Sequence, residues 1–116
     1  MILYANPITE VNIIMALNIT KATATDSLTI ALDGRLDTTT APQLEAELNA
    51  SMAGDVKELV FDMAKLAYIS SAGLRVLLKA QKTMNKQGSM TIKNAGAEIL
   101  EIFEVTGFDE ILNIEK

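Results

Sequence analysis

The 116-residue sequence predicts a single α/β domain with a mixed β-sheet. The sheet is expected to combine an N-terminal antiparallel hairpin with parallel β-α-β units, and the helices are expected to pack on it. Three observations predict this fold: two alternating segments joined by a short polar turn, apolar residues recurring at helical spacing, and a continuous apolar run typical of a buried strand. The predicted order of elements is β-β-α-β-α-β-α.

The first two strands are predicted from the alternation of apolar and polar residues. Residues 17–20 and 28–32 both alternate, as a strand with one buried face does, and residues 24–27 between them supply turn residues. Together they predict an antiparallel hairpin. Residues 33–37 are predicted to be the loop that leaves this hairpin. Gly34 stands alone in that loop, without the Lys-Ser/Thr of a phosphate-binding loop.

The first helix is predicted from its start and stop signals. Thr40 and Gln43 have the spacing of a capping box, and Pro42 fits the first turn, where its missing N–H is not needed. Gly54 is a natural C-terminal stop. The apolar stripe between these signals is expected to lie in the core, and its members are Leu44, Leu48 and Met52.

The centre of the chain predicts a strand, a short bridge, a serine pair and an amphipathic helix. Residues 59–62 are expected to form a buried strand parallel to the strand at Leu28, because a helix separates the two. Ser70 and Ser71 stand where the apolar period changes to that of a helix. This second helix is predicted to end near Lys86.

The last third of the chain predicts one more strand and one more helix. Residues 90–93 alternate like a strand, and Asn94 is expected to cap the third helix, which Gly107 closes. The buried face of this helix is expected to hold three residues: Ile99, Ile102 and Phe103. Residues 108–114 are expected to form a short final turn and an edge strand.

Composition excludes several classes of site. The chain has no cysteine and no histidine, which excludes disulfides, thiolate chemistry, Cys/His zinc sites and histidine-based triads. No acidic cluster has the ligand spacing of a metal loop, and no nucleophile–base pair can be assembled, so neither a metal, a cofactor nor an enzyme is predicted. The net charge of −5 and the absence of a basic run argue against direct nucleic-acid binding.

The start of the chain is predicted to lie outside the domain. Residues 1–14 are expected to be an N-terminal extension, either an added strand or an upstream start of little functional weight, and residues 15–116 the folded domain. The extension has neither a basic start nor an unbroken apolar run, so it predicts neither a signal peptide nor a membrane span. We therefore expect a cytoplasmic protein without membrane insertion.

The serine pair allows two interpretations from the residues alone. A serine at a helix start commonly caps it, accepting a hydrogen bond from a first-turn N–H. Alternatively the serine is exposed and modified, because a phosphate there would meet unpaired N–H groups and the positive end of the helix dipole. Periodicity does not choose between these interpretations.

Asp62 and the segment ISSAGLR, which begins at Ile69, resemble the signature of the STAS domain, the family of bacterial anti-sigma factor antagonists. In that signature a strand ends in Asp, and a short spacer leads to Asp-Ser-Ser/Thr-Gly-Leu. When the two are aligned on Gly73, the family's phosphorylatable serine falls on Ser71. The resemblance implies a STAS-type fold for the domain.

This sequence departs from the signature on both sides of Ser71. Ser70 stands in the aspartate position and so becomes the alternative phosphoacceptor, and Ala72 stands in the second hydroxyl position. Weaker matches to the family's loop into its first helix and to the turn after its third helix follow in the same order along the chain, at residues 34–37, 39–42 and 105–108.

The resemblance implies partner switching. The unphosphorylated domain binds an anti-sigma factor, usually a GHKL-type serine kinase, and so frees a sigma factor. Phosphorylation of Ser71 separates the complex, and a PP2C-type phosphatase resets it. The partner-binding residues that the resemblance and its surroundings indicate are Asp37, Ser70, Ser71, Ala72, Gly73 and Arg75. Asp37 could instead bond the backbone of its own turn, and Arg75 could pair with a phosphate or a partner carboxylate.

Two other functions stay open at this level. One is a structural subunit, for example of a lipid-transport complex, in which Ser71 is not a phosphoacceptor but the helix that it starts is still an interface. The other is a small-ligand or nucleotide sensor, which predicts a pocket shared by residues 33–37 and the serine pair.

Overall fold

The computed structural model describes residues 17–52 and 54–115. The predicted extension at residues 1–14 lies outside these described residues. The elements are β1 (Leu17–Thr23), β2 (Ser27–Leu36), α1 (Ala41–Ser51), β3 (Glu58–Ile69), α2 (Ser71–Gln87), β4 (Ser89–Lys93), α3 (Ala97–Thr106), a 3-10 helix (Phe108–Glu110) and β5 (Ile114–Glu115). The predicted α/β order is confirmed, and the short β5 is the edge strand. None of the helices in the described ranges is long and apolar enough to span a membrane.

The five strands form one sheet in chain order, β1-β2-β3-β4-β5. β1 and β2 are antiparallel, whereas β2, β3, β4 and β5 pair in parallel, with Leu28 of β2 opposite Leu59 of β3. The crossovers through α1, α2 and α3 all step in the same direction across the sheet. Because such crossovers are right-handed, the three helices lie on one face.

The core lies between that face and the helices. Residues of β2 alternate between buried and half-buried, and Leu28, Ile30 and Leu32 point into the core. From the helices, Leu44 and Leu48 of the predicted α1 stripe are buried, while Met52 is half-buried against the same cluster. Other buried core residues of the helices and of β3 are Phe61, Met63, Leu77, Met84, Ile99 and Phe103.

Two segments predicted as loops are strands. β2 runs on through residues 33–36, and β3 runs on past Asp62 to Ile69, so that the predicted bridge is part of the ladder. The pairing of β2 with β3 shifts register after Ala31 and after Gly34, whose φ of 121° suits a glycine. These irregularities break the two-residue period, and the burial of β3 changes to three-residue steps. The sequence pattern therefore did not indicate a strand there.

Thr40 is the N-cap residue of α1 as predicted, but the capping box with Gln43 is absent, and the predicted Asn94 cap of α3 is wrong. Thr40 precedes α1 but makes no side-chain cap, and Gln43 instead donates its amide to the carbonyl of Leu17 at 3.4 Å. α3 is capped by Gly96, because Asn94 takes a positive φ of 63° and its amide reaches Asp62 at 3.1 Å. That hydrogen bond is the largest of the causes that lower the pKa of Asp62.

Candidate functional site

The serine turn (Ser70–Gly73) lies where the central pair of strands ends. Leu36 of β2 and Ile69 of β3 are register partners, and the N–H of the following residue, Ser70, donates to the carbonyl of Leu36 at 2.9 Å. The chain then turns directly into α2. The site is therefore supported by the last hydrogen bond between two long, paired strands.

The two serines have different roles. Ser70 is the N-cap of α2, and its Oγ accepts a hydrogen bond from the Gly73 N–H at 3.3 Å. Ser71 is the first residue of the helix and is exposed, and its hydroxyl has no hydrogen-bond partner within the described ranges. The capping interpretation therefore holds for Ser70, whereas the Ser71 hydroxyl is accessible to a modifying enzyme.

The start of α2 can stabilise an anion. First-turn N–H groups of a helix lack intrahelical acceptors, and the helix dipole adds positive potential at the same end. α2 has 17 residues and no acidic side chain in its first turn. Arg75 is exposed, four residues after Ser71 and therefore on the same side of the helix. A phosphate on Ser71 would lie beside both favourable charges.

Gly73 is predicted as a partner-binding residue, but the structure gives it a packing role. It is buried, and a Cβ built at this position would lie 2.7 Å from Cγ of Leu36 and 3.0 Å from Cγ1 of Ile69. Both of those side chains are buried in the core. The glycine therefore allows the first turn of α2 to rest directly on the ends of β2 and β3.

Asp37 and Thr40 hold the turn that runs from β2 into α1. Asp37 Oδ1 accepts from the Thr39 N–H at 3.0 Å, the Thr39 hydroxyl at 2.8 Å and the Thr40 N–H at 3.2 Å. The buried Thr40 hydroxyl donates to the Arg35 carbonyl and accepts from the Asp37 N–H, both at 2.8 Å. The structural role considered for Asp37 is therefore present. The Thr39 hydroxyl contributes most to lowering the pKa of the Asp37 carboxyl.

Replacing Asp37 by alanine is expected to lower the free energy of unfolding by about 1 kcal/mol, because the turn loses its side-chain acceptor. Asp37→Asn keeps an oxygen in the same place and is expected to lose only a few tenths of that amount. Urea denaturation of the three proteins measures the difference. Equal losses in both variants would show that the carboxylate charge, rather than its hydrogen bonds, matters.

Two residues beside the serine turn were not singled out from the sequence. Arg35 stacks on the ring of Tyr68, with Cζ 4.3 Å from the ring centroid, and its Nε lies 3.7 Å from Oδ2 of Asp37. Tyr68 is 36% exposed, whereas the rings of Phe61 and Phe103 are fully buried. The two are register partners across β2 and β3. Only the unpredicted extension of both strands brings them together.

A groove of about 470 Å³ runs between α1 and α2 and begins beside the serine turn. Its apolar lining includes Ala72 and Val76 of α2 and Ala41 and Pro42 of α1. A second hollow, of about 240 Å³, is lined by Asp33 and its neighbours but does not reach the serine turn. The sensor hypothesis requires one pocket at both places, and neither of these two cavities joins them.

The outer face of α2 carries a basic stripe, defined here as Arg75, Lys79, Lys82 and Lys86. All four residues are exposed, and α2 contains no acidic residue, although the whole chain has a net charge of −5. These cations are three or four positions apart, so they form no run of consecutive basic residues in the sequence. Applying the helical period to charge as well as to apolar residues would have found them.

The positions of the acidic side chains do not indicate a metal site in the described part of the chain. Within residues 17–52 and 54–115, no group of three or more carboxylates lies close enough to hold a metal ion. The functional groups at the site are instead a free hydroxyl, a helix N-terminus, a groove and a basic stripe. These are suited to modification and to protein binding.

Comparison with known proteins gives consistent matches. A family model described as STAS domain matches residues 18–116. A Bordetella bronchiseptica protein named as an anti-sigma factor antagonist, BtrV, is 38% identical over 91 residues, which cover 77% of this chain and 78% of that protein. The structure of an anti-sigma factor antagonist from Mycobacterium paratuberculosis matches with a TM-score of 0.77 at 21% identity, covering 85% of both chains. The Bacillus cell fate determinant SpoIIAA in its phosphorylated form matches with a TM-score of 0.66 at 17% identity, over 87% of this chain and 92% of that chain.

Proposed function

The chain belongs to the STAS domain family, and on that premise we propose that it is an anti-sigma factor antagonist controlled by phosphorylation of Ser71. In its unphosphorylated state it binds an anti-sigma factor and so frees a sigma factor. The anti-sigma factor is a GHKL-type serine kinase, which ends its own inhibition by phosphorylating Ser71. A PP2C-type phosphatase restores the binding form. The protein acts in the cytoplasm by binding and has no catalytic activity of its own.

One observation carries this proposal. The Ser71 hydroxyl is exposed and makes no hydrogen bond within the described ranges, because Ser70 supplies the cap of α2. A kinase can therefore modify Ser71 without first breaking a contact that the fold needs. The added phosphate, with roughly 1.5 to 2 negative charges, would be held by the helix N-terminus and Arg75. Phosphorylation therefore changes a surface and leaves the fold in place.

Incubating the protein with its anti-sigma kinase and ATP is expected to add one phosphate to the wild type and none to Ser71→Ala. Intact-mass spectrometry measures this directly. The matched control is Ser70→Ala, which removes the cap but keeps the acceptor. It should still gain one phosphate, and it should lose about 1 kcal/mol of stability because the Gly73 N–H loses its acceptor.

The outcomes separate the competing functions. If Ser71→Ala still gains a phosphate and Ser70→Ala does not, the phosphoacceptor is Ser70, and the assignment of Ser71 is wrong. If neither serine is modified, although the same kinase phosphorylates a known substrate in a parallel reaction, this protein is not switched by phosphorylation. The domain would then be a constitutive binding subunit of a larger assembly.

A further inference from the structure

The charge distribution of α2 has a consequence beyond the phosphorylation site. We propose that the basic stripe, together with the apolar floor of the α1–α2 groove, is the docking surface for an acidic face of the anti-sigma factor. The inference rests on the proposed function, since it names the chemistry of the same partner. It adds that binding is driven partly by charge and that its strength depends on residues up to four turns away from Ser71.

The stripe is concentrated in a way that the rest of the chain is not. It holds four of the ten Lys and Arg residues on one face of one helix, in a chain with fifteen acidic residues. Lys79 pairs with Glu45 of α1 at 2.8 Å. Within the described part of the chain, the other three cations, Arg75, Lys82 and Lys86, make no ion pair. Their charge is available to another molecule.

Helix stability does not account for this arrangement. A lysine in the last turn interacts favourably with the helix dipole, and this explains Lys86. Arg75 lies close to the positive end of the same helix, where a cation is unfavourable. The stripe also extends along the whole helix and is not confined to one end. A docking role explains both why an arginine stands at the positive end of the helix dipole and why the cations extend along the whole of α2.

The surface beside the stripe suits a protein partner. The groove is lined by apolar side chains of both helices, among them Ala41, Pro42, Ala72 and Val76. Its charged lining residues are the cations Arg75, Lys79 and Lys82 and one carboxylate, that of Glu45, which pairs with Lys79. An apolar floor with a charged rim is the usual anatomy of a protein interface. A nucleic-acid surface would depend mainly on phosphate contacts, and the chain's net charge of −5 opposes them.

The same stripe relates docking to the switch. Ser71 and Arg75 are four residues apart on α2, so a phosphate on Ser71 stands at the N-terminal end of the stripe. Its negative charges would compete with the partner's carboxylates for Arg75 and would repel those carboxylates. Release of the partner then needs no movement of the backbone.

The direct test uses two double variants that remove the same charge. Lys82→Gln with Lys86→Gln neutralises part of the stripe, and Lys57→Gln with Lys65→Gln neutralises two exposed lysines outside α2. With the purified kinase that phosphorylates Ser71 as the probe, calorimetry is expected to show roughly tenfold weaker binding for the first variant and less than about twofold for the second. Added salt should reduce the difference. Equal losses in both variants, or none in either, would overturn the proposal.

A second measurement decides the question even if no kinase binds. A short poly-glutamate peptide, titrated into isotope-labelled protein, is expected to shift the NMR signals of α2 from Ala72 to Lys86. Shifts of equal size around Lys21, Lys57 and Lys93 would show that the peptide is attracted to any lysine, and they would contradict a docking site on α2. A short DNA duplex that binds the stripe more tightly than the peptide would overturn the choice of a protein partner. Failure of Ser71 to accept phosphate would count against the proposed function but not against a stripe-specific peptide result.

Discussion

Replacing Gly73 by alanine is expected to destabilise the domain by about 2 kcal/mol, although alanine is the better helix former. The new methyl group would meet Cγ of Leu36 at 2.7 Å and Cγ1 of Ile69 at 3.0 Å. Leu36 is 0% exposed and Ile69 only 2%, so neither side chain can turn away into solvent. α2 would have to move away from the strand ends, and its serine turn with it. Urea denaturation measures the loss.

Two controls show whether the close contact is the cause. Gly54→Ala adds the same methyl group where nothing lies within 4 Å, and it should change stability little. Gly73→Ala in a Leu36→Ala background should cost much less than it does alone, because the second change empties the space that the methyl group needs. An unchanged or raised stability for Gly73→Ala alone would contradict the packing role assigned to this glycine.

Ser71→Glu is expected to weaken binding to the anti-sigma factor by at least roughly a hundredfold, because a permanent negative charge then faces the partner. The same change should leave the fold as stable as before or raise its stability by about 0.3–1 kcal/mol, since a carboxylate interacts favourably with a helix N-terminus. Calorimetry of binding and thermal unfolding of the same samples measure the two effects. Weaker binding together with unchanged or higher stability would show that the substitution disrupts the partner contact and does not damage the fold.

A matched variant controls for net charge. Thr25→Glu adds the same charge at an exposed position of the β1–β2 turn, at the other end of β2 from the serine turn. It should bind the anti-sigma factor as the wild type does. If Ser71→Glu binds normally, or if Thr25→Glu is equally impaired, the local charge at Ser71 does not control the partner.

The regular parts of this fold follow from periodicity. The hairpin, the apolar stripe of α1 and the helix after the serine pair each show a clear two-residue or helical period, and the structure confirms all three. The signature around Ser71 then indicated the STAS domain family, and the family model and the Bordetella bronchiseptica relative confirm it. The parallel pairing of β2 with β3 followed from the helix between them.

The parts that were wrong depend on contacts between distant segments. Bulges after Ala31 and Gly34 let β2 and β3 continue together, and each strand is stable there only because the other is present. Asparagine is a common helix cap, but the Asn94 side chain donates a hydrogen bond to Asp62 on the neighbouring strand instead. At the site, the pattern identified both serines but not which one caps α2. That assignment depends on a one-residue difference in where the helix begins, which propensity does not resolve.

The hydrogen bond from the Ser70 N–H to the Leu36 carbonyl also bears on when the serine turn forms during folding. It joins residues far apart in the sequence, and it closes the last step of a parallel ladder that cannot form until α1 has crossed between the strands. Non-local pairing of this kind forms late, after the entropy of closing the intervening loop has been overcome. A nascent or partly folded chain contains Ser71 but lacks the geometry that presents it. If a kinase modifies Ser71 as proposed, we therefore expect it to act on the folded domain, in which the end of β3 and the start of α2 are both in place.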